Sequence, residues 1–139
     1  MKILAVDFGD ARTGLACCDP TQTLASPIGC IKERNFRKTA EAVAQAAEQT
    51  GCGTIVVGHP KNMDGSEGQR AQKCADFAAE LQKMVPCPVV LYDERCTTME
   101  AAHLMDAAGT FGRRRKEQID EASAAIILED YLRSLANRR

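Results

Sequence analysis

Asp7, Glu94 and Asp120 lie far apart in the chain, yet each sits where a regular element would carry it to a shared place. Asp7 ends the apolar run Ile3-Leu4-Ala5-Val6. Glu94, preceded by Asp93, follows the run Val89-Val90-Leu91-Tyr92. Asp120 opens a long helical pattern whose apolar face continues through Ala124, Ile127, Leu128, Tyr131 and Leu135. A carboxylate directed toward a protein interior is costly unless it is paired, protonated or bound to a cation. Three such groups converging would repel one another, and a divalent cation with oxygen ligands is the usual remedy. The pattern points to a metal-dependent active site. Each residue alone also has an ordinary reading: Asp7 as a turn former, Glu94 as the partner of Arg95, Asp120 as the complement of a helix dipole. Asp93 competes with Glu94 for the same role. The three carboxylates carry the chemistry jointly.

The elements that must position them follow from pattern and punctuation. Residues 2–7 form a strand, Gly9-Asp10-Ala11-Arg12 a turn and residues 13–18 a second strand, together a hairpin. After Asp19-Pro20 a third strand covers about 24–31, and a helix over 36–49 carries Phe36, Ala40, Val43, Ala44 and Ala47 on one face. Gly51-Cys52-Gly53 ends that helix, and Thr54-Ile55-Val56-Val57-Gly58 is a wholly apolar strand, expected mid-sheet with both faces covered. A loop runs from His59 to Gly65. Ser66 and Gln69 have capping-box spacing for a helix to about residue 84, with Ala71, Cys74, Ala75, Ala78 and Leu81 inward. Pro86 and Pro88 precede the strand 89–92, and Thr97 and Glu100 repeat the capping-box spacing for a helix to about 108. A basic loop, residues 109–116, leads into a last helix over about 117–135. Three meandering strands followed by strands that alternate with helices predict an α/β domain, 1–139, with a mixed sheet flanked by helices. In such sheets, sites gather at the carboxyl ends of central strands, where Asp7 and Glu94 lie.

Composition narrows the function classes. Lys plus Arg number 18 against 19 Asp plus Glu, a formal charge of −1, so an anionic partner must be held by a local patch. Arg113, Arg114, Arg115 and Lys116 form the densest basic run, either a solvated face or a clamp on phosphates whose binding would weaken with salt. Arg12, Lys61 and Arg95 fall on loops at the same expected end of the sheet. With four Phe, two Tyr and no Trp, an extensive base-stacking platform is not expected. No apolar stretch approaches a membrane span and no secretory signal opens the chain, so a cytoplasmic location without membrane association is expected. The seven cysteines lack any C-x-x-C spacing and read as reduced, small hydrophobes. Cys96, two residues beyond Glu94, is the one placed to make the site sensitive to oxidation. His59 and His103, isolated in sequence, receive no role.

Four blocks in order make the chain recognisable: Val6-Asp7-Phe8-Gly9 with Arg12-Thr13-Gly14; Val57-Gly58-His59-Pro60 with Asn62-Met63-Asp64-Gly65-Ser66; Asp93-Glu94-Arg95-Cys96-Thr97-Thr98; and Arg115-Lys116 with Ile119-Asp120. Over essentially its whole length the chain resembles the YqgF/RuvX family, small bacterial proteins related to Holliday-junction resolvases. The resemblance implies a ribonuclease H-like fold, with a five-stranded sheet of three antiparallel then two parallel strands. It also implies a nuclease acting on the precursor of small-subunit ribosomal RNA, at its 5′ end. Asp7, Glu94 and Asp120 match the family's acidic residues and would hold Mg²⁺ or Mn²⁺, in a two-ion scheme for phosphodiester hydrolysis. Structured RNA is the favoured partner and branched DNA the variant. The protein would act as a monomer or homodimer, and a resolvase would need two sites in symmetric register. A noncatalytic RNA-binding assembly factor is a further alternative. An ATP-dependent phosphotransferase of the sugar-kinase type also starts from an acidic first strand, but it needs two such domains.

Overall fold

In the computed structural model, residues 2–59, 68–93 and 112–137 are described, together with the side chains of 122–135 in the last segment. The apolar runs become strands: β1 Lys2–Asp7, β2 Arg12–Cys18, β3 Ala25–Lys32, β4 Cys52–His59 and β5 Val89–Asp93. They form one sheet of order β3-β2-β1-β4-β5. The first three strands pair antiparallel, whereas β4 runs parallel to both β1 and β5. The expected α/β sheet is therefore present, with three antiparallel strands followed by two parallel ones. The carboxyl ends of β1, β4 and β5 and the amino end of β2 meet at one edge of the fold.

Three helices among the described residues cover the sheet: α1 Phe36–Thr50, α2 Gln69–Gln82 and α3 Gly112–Asn137. The first is bounded as the rules of capping require. Asn35 Oδ1 accepts the Lys38 N–H at 2.9 Å, and Gly51 takes the left-handed conformation at φ 70° that only glycine adopts without strain. Strand alternation sorts the core onto two faces. Leu4, Val6, Leu15, Ile55 and Val57 pack beneath α1 and α2, together with Val43, Cys74, Phe77 and Leu81. Ile3, Ala5, Ala16, Cys18 and Val56 pack beneath Ala124, Ile127, Leu128 and Leu132 of α3.

Three expectations need correction. The basic run Arg113–Lys116 is not a loop, because α3 already begins at Gly112; Arg and Lys are good helix formers, so a basic sequence alone does not interrupt a helix. The second helix starts after Gly68, which caps it without a side-chain hydrogen bond, so Gln69 is the first helical residue rather than the third. Phe77, absent from the anticipated inward face, is fully buried, whereas Ala75 is only half-buried. The ring belongs to the same stripe, three residues beyond Cys74 and four before Leu81. The Ser66 cap, the helix anticipated from just after Glu94 to about residue 108 and Cys96 lie outside the described residues.

Candidate active site

Asp7 is the last residue of β1, a strand buried along its middle. Alternation puts it on the face of Ile3 and Ala5, the face that α3 covers. Its partner on β2 is Gly14, and carrying the β1–β4 register one step beyond Val6↔Val57 brings Gly58 beside it on the other side. Both glycines are buried and Asp7 is half-buried. The carboxylate thus stands between two positions that project no side chain on its own face.

The turn beyond Asp7 is tight and externally held. A Cβ on Gly9 would run into the Arg12 carbonyl oxygen, so this position accepts only glycine without displacement. Arg70, in the first turn of α2, donates from Nη2 to the Phe8 carbonyl at 2.9 Å, and Lys73 Nζ meets Asp10 Oδ1 at 3.4 Å. Phe8 stacks on Phe77 with ring centroids 4.3 Å apart. Arg70 and Lys73 were not among the residues singled out from sequence. Their only signal is their i,i+3 spacing at the start of a helix that follows the carboxyl end of β4.

The same logic of alternation separates the two acids at the end of β5. Val90 and Tyr92 pack on the α3 face and Val89 on the opposite one, so Asp93 falls on the face away from Asp7. That parity weighs against Asp93 as the partner of Asp7. Tyr92 instead ties β5 to α3: its hydroxyl donates to Asp130 Oδ2 at 2.7 Å and its ring meets Tyr131 edge-on. Burial, then the bond to Asp130, pushes the Tyr92 phenol up to about 12.

Arg12 begins β2 opposite Lys32, at the same edge as Asp7, rather than in the loop anticipated for it. Position 120 lies within α3, four residues before the buried Ala124; the backbone at 113–116 forms the first turns of that helix. Glu94, Lys61 and Arg95 lie outside the described residues. Among the described residues no group of three or more His, Cys, Asp or Glu is gathered around a metal position. The donors that can be compared with a cation fit one of hard character: an acid at the head of a side-chain-free floor, under a helix carrying a second acid. Ser123 of that helix is 1% exposed, and its hydroxyl has no hydrogen-bond partner among the described residues.

The sheet order, three antiparallel strands followed by two parallel ones with an acid at the end of the central strand, is that of the ribonuclease H-like fold. The family model described as "RuvX: Holliday junction resolvase" matches residues 1–134, and the chain belongs to that family. It is thereby an enzyme of the nuclease class, a hydrolase. A Lachnospira eligens protein named "Putative pre-16S rRNA nuclease" is 39% identical over 137 residues, covering 96% of this chain and 98% of its own. One of the same name from Thermoanaerobacter pseudethanolicus is 37% identical over 139 residues, covering 99% and 100%. Solved structures similar in fold include Thermus thermophilus RuvC with a Holliday junction substrate, with a TM-score of 0.60, 13% identity and 96% of each chain covered. The Fowlpox virus resolvase with junction DNA gives 0.62 and 13%, covering 97% of this chain and 99% of its own. No helix among the described residues is long and apolar enough to cross a membrane.

Proposed function

We propose that the chain, acting as one domain over residues 1–139, is a cytoplasmic, divalent-metal-dependent nuclease that processes the 5′ end of the small-subunit ribosomal RNA precursor. The observation that carries this reading is Asp7 at the carboxyl end of the central strand, flanked by Gly14 and Gly58 on the face that α3 covers. Asp7, Glu94 and Asp120 are the residues that would hold two Mg²⁺ or Mn²⁺ ions. Such ions supply charge stabilisation for the phosphodiester and a water of lowered pKa.

The remaining work belongs to the chain's own cations. Arg12, Lys61 and Arg95 contact substrate phosphates around the carboxyl edge of the sheet, and Arg113, Arg114, Arg115 and Lys116 clamp them from the start of α3. Four cations at a helix amino terminus oppose the helix dipole, a cost that an anionic partner relieves. Binding therefore rests on phosphates and falls with rising salt. Relatives named for pre-16S rRNA support the RNA reading, which needs one copy at a time. The family description favours a second reading, resolution of branched DNA, which needs a homodimer with two sites in register.

The test is cleavage of end-labelled 16S precursor RNA and of a four-way DNA junction, with Mn²⁺ or with EDTA. Metal-dependent cutting near the mature 5′ end supports the proposal, and cutting of the junction alone moves it to a resolvase. Binding of RNA without cutting of either would leave an assembly factor.

A further inference from the structure

Three of the chain's four phenylalanines gather at the catalytic edge, on the face of the sheet opposite the Asp7 carboxylate. Phe8 follows Asp7 directly and stacks on Phe77; Phe36 meets both edge-on, with centroids 5.9 and 5.8 Å away. Phe77 is fully buried, but Phe36 stays 39% exposed. An apolar ring left in water when its neighbours are sealed is the informative feature of this cluster. Beside it opens a cavity of about 460 Å³, lined by Phe8, Asp10, Arg34, Phe36, Lys73 and Asp76 together with Thr39. That volume is within the range of small-molecule sites, and the lining mixes aromatic walls with a few charged groups.

The cavity and the Asp7 site are two sides of one turn. Were a nucleic-acid strand to lie with its phosphate at Asp7, across the carboxyl end of β1, a flanking nucleotide would meet the Phe8 side. Of the lining, Arg34 is suited to the phosphate of that nucleotide and the Asp76 carboxylate to N–H groups on a base edge, while Lys73 and Asp10, 3.4 Å apart, pair with each other beside it.

Resting on the nuclease reading, we propose that this cavity is a nucleobase subsite. It takes one unpaired base next to the scissile phosphate, stacked on Phe36 and flanked by Arg34 and Lys73. Phe36 is thereby a binding residue that sets where along a single strand the substrate sits. A scarcity of aromatics excludes a stacking platform of several bases; it does not exclude one well-placed seat.

The test uses short single-stranded RNA carrying 2-aminopurine, or an abasic nucleotide, at successive positions. Binding is measured in EDTA and cutting in Mn²⁺. Wild type should quench 2-aminopurine at one position, and an abasic nucleotide there should weaken binding roughly 5- to 150-fold, the range of base–aromatic stacking. Phe36→Leu, which keeps apolar bulk against Phe8 and Phe77, should lose the quench and most of the abasic penalty. Phe36→Trp should keep both, and serves as the decisive variant if Phe36→Leu does not fold. An abasic penalty equal in wild type and Phe36→Leu, unchanged quenching in that variant, loss of both in a folded Phe36→Trp, or no binding by wild type would each overturn the subsite. Quenching that depends on residue 36 without any cutting in Mn²⁺ would keep the subsite and sink the nuclease reading; cutting without such quenching would do the reverse.

Discussion

Arg70 offers a way to separate the geometry of the Asp7 turn from the stability of the fold. Its Nη2 donates to the Phe8 carbonyl at 2.9 Å, one residue beyond the carboxylate, while the side chain as a whole is exposed. A hydrogen bond from a charged donor contributes about 1.5–3 kcal/mol when well protected, and solvent exposure brings this one to about 1 kcal/mol. Arg70→Ala should therefore lower Tm by only about 3–5 °C for a chain of this size. The same bond holds the peptide that follows Phe8, one residue beyond Asp7, so under the proposed function its loss acts on the reacting geometry. About 1 kcal/mol withdrawn from the transition state is roughly a fivefold loss in kcat, and a displacement of the carboxylate raises that toward a hundredfold. Arg70→Lys keeps the charge without the planar fork and should fall between the two. The assay is steady-state cleavage of labelled RNA beside a thermal melt. The reasoning is refuted if Arg70→Ala lowers Tm as expected but leaves kcat unchanged.

Gly9→Ala pushes a methyl group into the Arg12 carbonyl and should reduce cleavage at least about tenfold while circular dichroism still shows a folded protein; full activity would contradict the tight turn. Because the Tyr92 phenol is raised from 10.0 to about 12, the folded state holds that proton more tightly than the unfolded one. Its contribution is complete below pH 10 and declines from there to about pH 12. Urea unfolding across that window should show a falling stability, with a shallower fall in Tyr92→Phe. Cys17 lies 3.7 Å from the Cys52 sulfur, and burial first, then that neighbour, pushes its thiol up to about 12. The raised pKa keeps this thiol protonated at pH 8, where an ordinary thiol is partly ionised. Iodoacetamide should therefore label Cys17 only after unfolding, as mass spectrometry of the peptide will show; rapid labelling of the native protein would contradict the burial.

What the sequence made legible was the part governed by local pattern. Apolar runs bounded by Gly, Pro and Asp gave all five strands to within a few residues, and Asp7 stood out because a strand ended on it. Contacts across the fold were not legible. Small residues already make a complete-looking face for α2, and only the Phe8 and Phe36 rings show why the large Phe77 belongs to it. Arg70 and Lys73 looked like any exposed helical cations until the β1 turn was packed against them. The choice between Asp93 and Glu94 depends on which face each residue occupies, and face is fixed by pairing with β4 rather than by local sequence. The basic run before Asp120 is dense in charge like a loop, yet Arg and Lys are good helix formers and the helix already holds it.

Whether Asp7 is a metal-holding carboxylate is decided by a single substitution. Mn²⁺ binding by titration calorimetry and cleavage of labelled 16S precursor RNA would be measured on wild type and on Asp7→Asn, which keeps the side chain's size and removes its charge. The expected result is saturable Mn²⁺ binding and metal-dependent cutting by wild type, with both lost in a variant that melts like the parent. Wild-type Mn²⁺ affinity and cutting in Asp7→Asn would contradict the central claim.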